Sequence, residues 1–119
     1  MAIRLKRVYE QVAEEDGFRV LVDRLWPRGL TKDDAKLDFW AKEIAPSNDL
    51  RKWYHHDPEQ WVEFRQRYFA ELDRLVEAQR QLITKLTGKD VTLLYSSKSR
   101  WNNARVLKEY LEANYPELG

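Results

Sequence analysis

Apolar residues along the chain predict four extended segments. Residues 19–23 and 91–95 are nearly continuous apolar runs, which is the pattern of strands buried on both faces of a sheet. Residues 3–9 alternate apolar and polar side chains, as an edge strand with one face toward water does. Residues 37–45 alternate less regularly and favour a further extended segment between the two apolar runs.

Capping residues mark where the predicted helices begin. Thr31 and Ser47 each precede a short helical segment, because a hydroxyl at the N-cap accepts a hydrogen bond from a free backbone N–H group. Residues 57–60 read Asp-Pro-Glu-Gln, with Asp at the N-cap, Pro at the first helical position and Gln at the third. Asn102 is the predicted cap of the last helix.

The longest helical pattern covers residues 61–86. We expect a break between residues 73 and 79, since a continuous helix of that length is unusual in a small domain, and Gly88 follows its C-terminus. Strands that alternate with helices predict an α/β fold: one domain over residues 1–119, with a mostly parallel sheet flanked by helices. The short connection between the first two strands leaves open whether they are parallel neighbours or an antiparallel pair.

Composition excludes several classes of function. The chain has no Cys, so it contains no thiolate nucleophile and no Cys-based metal site. The formal net charge of +1 argues against a polybasic nucleic-acid or membrane module, although a local basic patch is compatible with a nearly neutral total. His55 and His56 are the only histidines, and two ligands without a third make a weak metal site. We therefore expect no metal and no cofactor.

Membrane segments are not predicted. No apolar run approaches the ~20 residues that a bilayer-spanning helix needs. The first residues lack the apolar core of a signal peptide. We expect a cytoplasmic protein without a membrane partner.

Polar side chains follow both buried strands, at the point where each strand ends. If the two strands are parallel neighbours, their loops lie at one edge of the sheet and face one another, which is where ligands bind in open α/β sheets. Pro27 stiffens the first loop, and Gly29 permits close backbone approach. The candidate site residues are Asp23, Arg24, Trp26, Arg28, Tyr95, Ser96, Ser97, Lys98, Trp101, Asn102 and Asn103.

Arginines in the first loop favour an anionic ligand. The planar guanidinium groups of Arg24 and Arg28 suit a phosphate or a carboxylate, and Asp23 is placed to orient them. The alternative for Asp23 and Arg24 is an ordinary local ion pair that braces the loop. The chain contains neither a P-loop motif nor a dinucleotide-binding glycine motif, so conventional sites of those two kinds are not expected.

The second loop supplies the other side of the expected pocket. Ser96, Ser97 and Lys98 follow a strand and precede a helix, where hydroxyl groups and an ammonium group favour an anion. Neither serine has a histidine base nearby in sequence, so a serine hydrolase is not indicated. Trp26 and Trp101 lie in the two loops, where they either stack on a base or sugar or cover each other.

Several long strings of the chain resemble a known family. They are GFRVLVDRLWPRGL, KLDFWAKEIAPS, LRKWYHHDPEQW, and VTLLYSSK followed by NNARVLKEYL. These strings resemble the domain of unknown function 488 (DUF488) family, and within it the YeaO-like branch, over nearly the whole chain. The resemblance implies a small Rossmann-like α/β domain, and it implies no demonstrated activity.

One position departs from the pattern that this resemblance implies. The wider family commonly carries a Cys-His-Arg element before the last helix, and YeaO-like members often keep its His. Here Asn103 stands where that His is expected. Asn forms hydrogen bonds but does not shuttle a proton near neutral pH. The departure favours binding over catalysis.

The sequence is therefore compatible with three hypotheses about function. The first is a small intracellular binding domain whose pocket accepts a nucleotide, a nucleic-acid end or a sugar phosphate. The second is an enzyme that acts on nucleotides or glycosidic bonds, with Asp23 as acid/base or nucleophile. The third is a homodimeric interaction protein without a small-molecule ligand, which light scattering would reveal as twice the monomer mass.

Overall fold

A four-stranded parallel sheet forms the centre of the computed structural model, which describes residues 2–118. Within these residues the strand order is β1-β4-β2-β3, and every neighbouring pair is parallel. The α/β prediction is confirmed, and so is the edge position of the first strand. The strands are β1 (Ile3–Arg7), β2 (Phe18–Leu21), β3 (Phe39–Trp40) and β4 (Val91–Tyr95).

The first two strands are not neighbours, so both alternatives left open for them are wrong. β4 lies between β1 and β2 and pairs with each in parallel. The connection over residues 8–17 contains one 3-10 turn, Glu14–Asp16, in place of a crossover helix. The place beside β1 is filled by the strand that comes last in the sequence.

The helices begin where their caps predict. Thr31, Ser47 and Asn102 each accept a hydrogen bond from the backbone N–H group three residues later. Asp57 caps the 3-10 turn Pro58–Gln60, which leads into the longest helix. In the described part of the chain the α-helices are α1 (Lys32–Ala35), α2 (Asn48–Trp53), α3 (Trp61–Arg74), α4 (Val76–Leu86) and α5 (Asn103–Asn114).

The expected break in the long helical region is confirmed at Leu75, whose φ of −88° and ψ of 54° are not helical. The buried Gln79 secures this break, because its amide group donates to the Leu72 carbonyl and to the Tyr110 hydroxyl. Gly88 follows the C-cap of α4 at a φ of +80°, as predicted for the residue after a helix.

Three local expectations need correction. The extended segment at 37–45 pairs only over Phe39–Trp40, since residues 42–44 turn into a 3-10 helix. β2 ends at Leu21, two residues before the predicted end. β1 ends at Arg7, also two residues before the predicted end.

The two faces of the sheet bury clusters of different size. On one face Val20 and Leu93 belong to a large cluster that includes side chains of α3, α4 and α5. On the other face Leu21 and Leu94 belong to a small cluster against which Trp26 and other loop side chains pack. The loop after β2 is therefore anchored across the sheet.

A buried charge network lies beside the start of β2. Asp16 pairs with Lys6 of β1 and with Arg19 of β2, and both Asp16 and Arg19 are only 4% exposed. Burial alone would raise the pKa of Asp16, but hydrogen bonds from Ala13, Lys6 and Arg19 hold it below its ordinary value. The Arg19 guanidinium also donates to the carbonyls of Ala35 and Lys36. The network thus joins β1, β2 and the end of α1.

Candidate functional site

A cavity of about 760 Å³ opens at the carboxyl edge of the sheet, a volume typical of small-molecule sites. It lies there because β2 and β4 are parallel neighbours, which brings their following loops together. Its wall combines those loops with residues from the end of β1, from α2 and from α3. The lining residues are Arg7, Tyr9, Asp23, Arg24, Leu25, Trp26, Pro27, Arg28, Pro46, Arg51, Tyr54, His56, Phe64, Ser96, Ser97, Lys98 and Asn103.

Asp23 is tied to the loop after β4. One of its carboxylate oxygens accepts from the Ser96 N–H group at 2.9 Å and from the Ser96 hydroxyl at 2.8 Å. The other accepts from the Asn103 amide at 3.2 Å, and that amide also donates to the Val22 carbonyl. Asp23 therefore clamps the two loops together through neutral donors.

The expected pairing of Asp23 with an arginine is wrong, because the neighbouring guanidinium points elsewhere. Arg24 donates to the carbonyls of Ala45 and Pro46 at 3.0 and 2.9 Å. These bonds hold the turn before α2 against the first loop. Arg24 lines the cavity as a brace, with one terminal nitrogen free of these two bonds.

Arg7 braces the opposite wall. Its guanidinium donates to the Ser96 and Ser97 carbonyls at distances between 2.8 and 3.2 Å and packs on the Tyr9 ring. The Tyr9 hydroxyl donates to the Arg28 carbonyl at 2.8 Å. The end of β1 therefore fixes both loops.

Three cations of the wall remain available. Within residues 2–118 the side chains of Arg28 and Lys98 form no hydrogen bond or ion pair, and both are exposed. In the same range the one hydrogen bond of the Arg51 side chain is a long one, 3.5 Å, which it donates to the Asn48 side-chain oxygen. These three side chains are free to meet a ligand.

The floor of the cavity is aromatic. Tyr54 and Phe64 are 5% and 2% exposed and stack with ring centroids 4.0 Å apart. Burial, with the nearby charge of Asp57, raises the pKa of Tyr54 to about 12. Tyr54 thus remains a neutral donor to the Trp101 carbonyl, at 2.8 Å, across the physiological range.

The remaining predicted site residues lie outside the wall. Asn102 is buried as the cap of α5, and Tyr95 lies at the end of β4. Trp101 packs on Trp61, so it does not cover Trp26.

Trp26 lines the cavity, but its own contacts hold it in the loop. It packs edge-on against the ring of Trp40, and its indole N–H donates to the Leu30 carbonyl.

Sequence reasoning missed several wall residues: Arg7, Tyr9, Arg51, Tyr54 and His56. Arg7 and Tyr9 required the strand order, since they enter only because β1 ends beside β4. His56 follows α2, with its Nδ1 3.2 Å from the Trp101 carbonyl oxygen and its ring centroid 4.7 Å from that of Tyr54.

The described residues contain neither a cluster of metal-ligating side chains nor a membrane-spanning helix. Across residues 2–118, no three side chains of His, Asp or Glu come together as metal ligands. The helices of this same part are too short or too polar to cross a membrane.

The chain matches one family model and several known proteins. A family model described as "Inactive DUF488-N3 subclade" matches residues 2–118. The chain belongs to the DUF488 family. It is 44% identical to the uncharacterized protein YeaO of Escherichia coli K12, over 95% of this chain and 99% of that protein, which makes it a YeaO-like member. It is also 50% identical to the uncharacterized proteins Mb3100c of Mycobacterium bovis and Rv3073c of Mycobacterium tuberculosis, over 75% of this chain and 74% of each relative. No solved structure matches this DUF488 chain.

Replacing Asp23 by Ala should lower the free energy of unfolding by about 2–3 kcal/mol, because hydrogen bonds to a charged group are lost and Ser96 is left without its acceptor. Urea denaturation measures the change. The exposed Asp33, changed to Ala, is the matched control and should stay within about 0.5 kcal/mol. Equal small effects of the two substitutions would contradict the clamp.

Proposed function

We propose that this DUF488 chain is a binding domain whose cavity accepts a phosphate-bearing ligand such as a nucleotide, a nucleic-acid end or a sugar phosphate. The balance of charge in the wall carries the proposal. Among residues 2–118 the wall has one carboxylate, that of Asp23, and five cationic side chains: Arg7, Arg24, Arg28, Arg51 and Lys98. Asp23 forms no ion pair with these cations in the described chain, because its oxygens accept from Ser96 and Asn103, and the wall keeps an excess of positive charge.

The aromatic floor supports a ligand with a planar part. Tyr54 and Phe64, whose rings stack on each other, line the same cavity as the free cations. Aromatic rings pack against bases, while guanidinium groups hold phosphates through charge-assisted hydrogen bonds. A nucleotide combines both groups in one molecule, and the cavity volume of about 760 Å³ is large enough for one.

Two observations favour binding over catalysis. The description of the matching family model contains the word inactive. Asn103, which contacts Asp23 in the wall, is an amide where a proton-shuttling His is expected from the family resemblance. A role for Asp23 as acid/base stays a prediction.

A thermal-shift experiment tests the proposal with nucleoside monophosphates, the matching nucleosides, sugar phosphates and inorganic phosphate. A ligand present at about 100 times its dissociation constant stabilises the folded state by about 2.7 kcal/mol. This should raise the melting temperature by several degrees in a domain of this size. We expect nucleotides to raise it and nucleosides to leave it nearly unchanged.

Arg28→Ala is the informative variant, because it removes a cation of the wall without removing a hydrogen bond of the fold. The hydrogen bond from the Tyr9 hydroxyl goes to the backbone carbonyl of Arg28, which the variant keeps. This variant should lose most of the rise in melting temperature that nucleotides cause. Arg74→Ala, at the far end of α3 from Trp61, is the matched control and should retain it. The absence of any shift in the wild type, or an unchanged shift in Arg28→Ala, would reject the proposal.

A further inference from the structure

Two arginine side chains and one tryptophan ring form a compact cluster beside the cavity. The guanidinium carbons of Arg100 and Arg105 lie 4.8 and 5.3 Å from the centroid of the half-buried Trp101 ring. We call these three residues the Arg–Trp–Arg patch. Stacking on the ring orders both cations in advance and leaves their N–H groups able to bind an anion.

The patch is continuous with the cavity wall. The Trp101 carbonyl accepts from the Tyr54 hydroxyl and lies 3.2 Å from Nδ1 of His56, and both partners line the cavity. Lys98, an exposed residue of the wall, precedes Arg100 by two positions. The free cations of the cavity therefore extend along this loop onto the first turn of α5.

The patch cations form no ion pair with a neighbouring acid in the described chain. Glu109 stands one helical turn after Arg105, where an ion pair would ordinarily form. Glu109 instead pairs with Arg65 of α3 through both of its carboxylate oxygens. The pKa of Glu109 is lowered first by its hydrogen bond from Arg65 and, to a lesser degree, by the charge of Arg105. Among the described residues, neither Arg100 nor Arg105 lies within ion-pair distance of a carboxylate.

We infer that this chain binds single-stranded nucleic acid, with one nucleotide in the cavity and adjacent phosphates on the Arg–Trp–Arg patch. The inference rests on the proposed function and extends it from a free nucleotide to a strand. Cations interleaved with aromatic rings suit a chain in which phosphates alternate with bases, and they suit an acidic peptide less well. The net charge of the chain is only +1, so its overall electrostatic attraction to nucleic acid is weak. Attraction to the phosphates of a strand would therefore come from the local patch.

Fluorescence anisotropy with a labelled eight-nucleotide strand tests the inference, with DNA and RNA as separate arms. The double variant Arg100→Ala/Arg105→Ala should bind the strand at least about tenfold more weakly. The slope of log affinity against log salt should fall in magnitude by about 1.4, the value for two lost contacts to a single strand. The mononucleotide thermal shift should not change, and Arg74→Ala should behave as the wild type.

The outcomes separate this inference from the proposal beneath it. Strand binding that is unaffected by the double variant, or a wild type that responds to mononucleotide but not to either strand, overturns the inference alone. A wild type whose melting temperature is raised by no phosphate-bearing ligand of the panel overturns the proposed function. Equal affinity for an acidic peptide of the same charge also overturns the inference. Tight binding of either DNA or RNA supports the inference, and the strand that binds more tightly identifies the kind of nucleic acid.

Discussion

Replacing Asp16 by Ala will lower the free energy of unfolding by about 3–5 kcal/mol, because a buried cation then loses its partner. Arg19 is 4% exposed, and Asp16 is the one carboxylate with which its side chain pairs in the described chain. Lys6 loses the same partner. The guanidinium bonds to two carbonyls remain, but they do not neutralise its charge.

This loss should depend on pH. The pKa of Asp16 is lower in the folded state than its ordinary value, because Ala13, Lys6 and Arg19 donate to the ionised form. Its contribution is therefore fully present above the unfolded pKa of about 3.9 and disappears as pH falls through the folded value. The difference between wild type and variant should be constant near pH 6–7 and shrink below about pH 4.

Urea denaturation at several pH values measures both effects. Glu14→Ala removes an equal charge from an exposed position of the same 3-10 turn and should change stability by less than about 0.5 kcal/mol. A similar loss of unfolding free energy in Asp16→Ala and Glu14→Ala would show that Asp16 does not stabilise the fold as an anion. A loss in Asp16→Ala that grows as pH falls below 4 would show the same.

Replacing Gly17 by Ala should also destabilise the fold strongly, by about 3–5 kcal/mol. Gly17 has a φ of +64° and a ψ of −132°, a conformation that L side chains rarely adopt. A Cβ atom there would clash with the Asp90 carbonyl oxygen. That oxygen is fixed, since it accepts from the Phe18 N–H group at the start of β2.

Gly88→Ala separates the clash from the backbone strain. Gly88 also has a positive φ, of +80°, but a Cβ atom there would have no described neighbour within 4 Å. This variant should lose only about 1–2 kcal/mol, the cost of the left-handed backbone. The midpoints of thermal and urea unfolding compare the two variants. Equal losses would mean that the chain shifts at residue 17 to relieve the contact.

Features that depend on a few neighbouring residues could be predicted from the sequence. The caps at Thr31, Ser47 and Asn102, the break at Leu75 and the buried run of β4 depend on short-range geometry or on local apolar spacing. The meeting of the two loops also follows from such information, once two buried strands are assumed to be parallel neighbours.

Other features depend on partners far away in sequence. Arg24 bonds to carbonyls about twenty residues later, and Arg7 to carbonyls near residue 96, so the neighbouring residues did not reveal their roles as braces. The neighbouring Asp23 appeared to be an ion-pair partner for Arg24, yet Ser96 and Asn103 take its oxygens. Side-chain partners of this kind require the strand order, which the apolar pattern does not contain.

The position of β4 has a consequence for biosynthesis. β1 and β2 each pair with β4, and the only strand pairing among residues 2–90 is the two-residue contact of β2 with β3. A nascent chain must therefore release more than 90 of its 119 residues from the ribosome before the sheet can assemble. Until then β1 has no strand partner and β2 has only its two-residue contact with β3, so the sheet is completed only after β4 has been released.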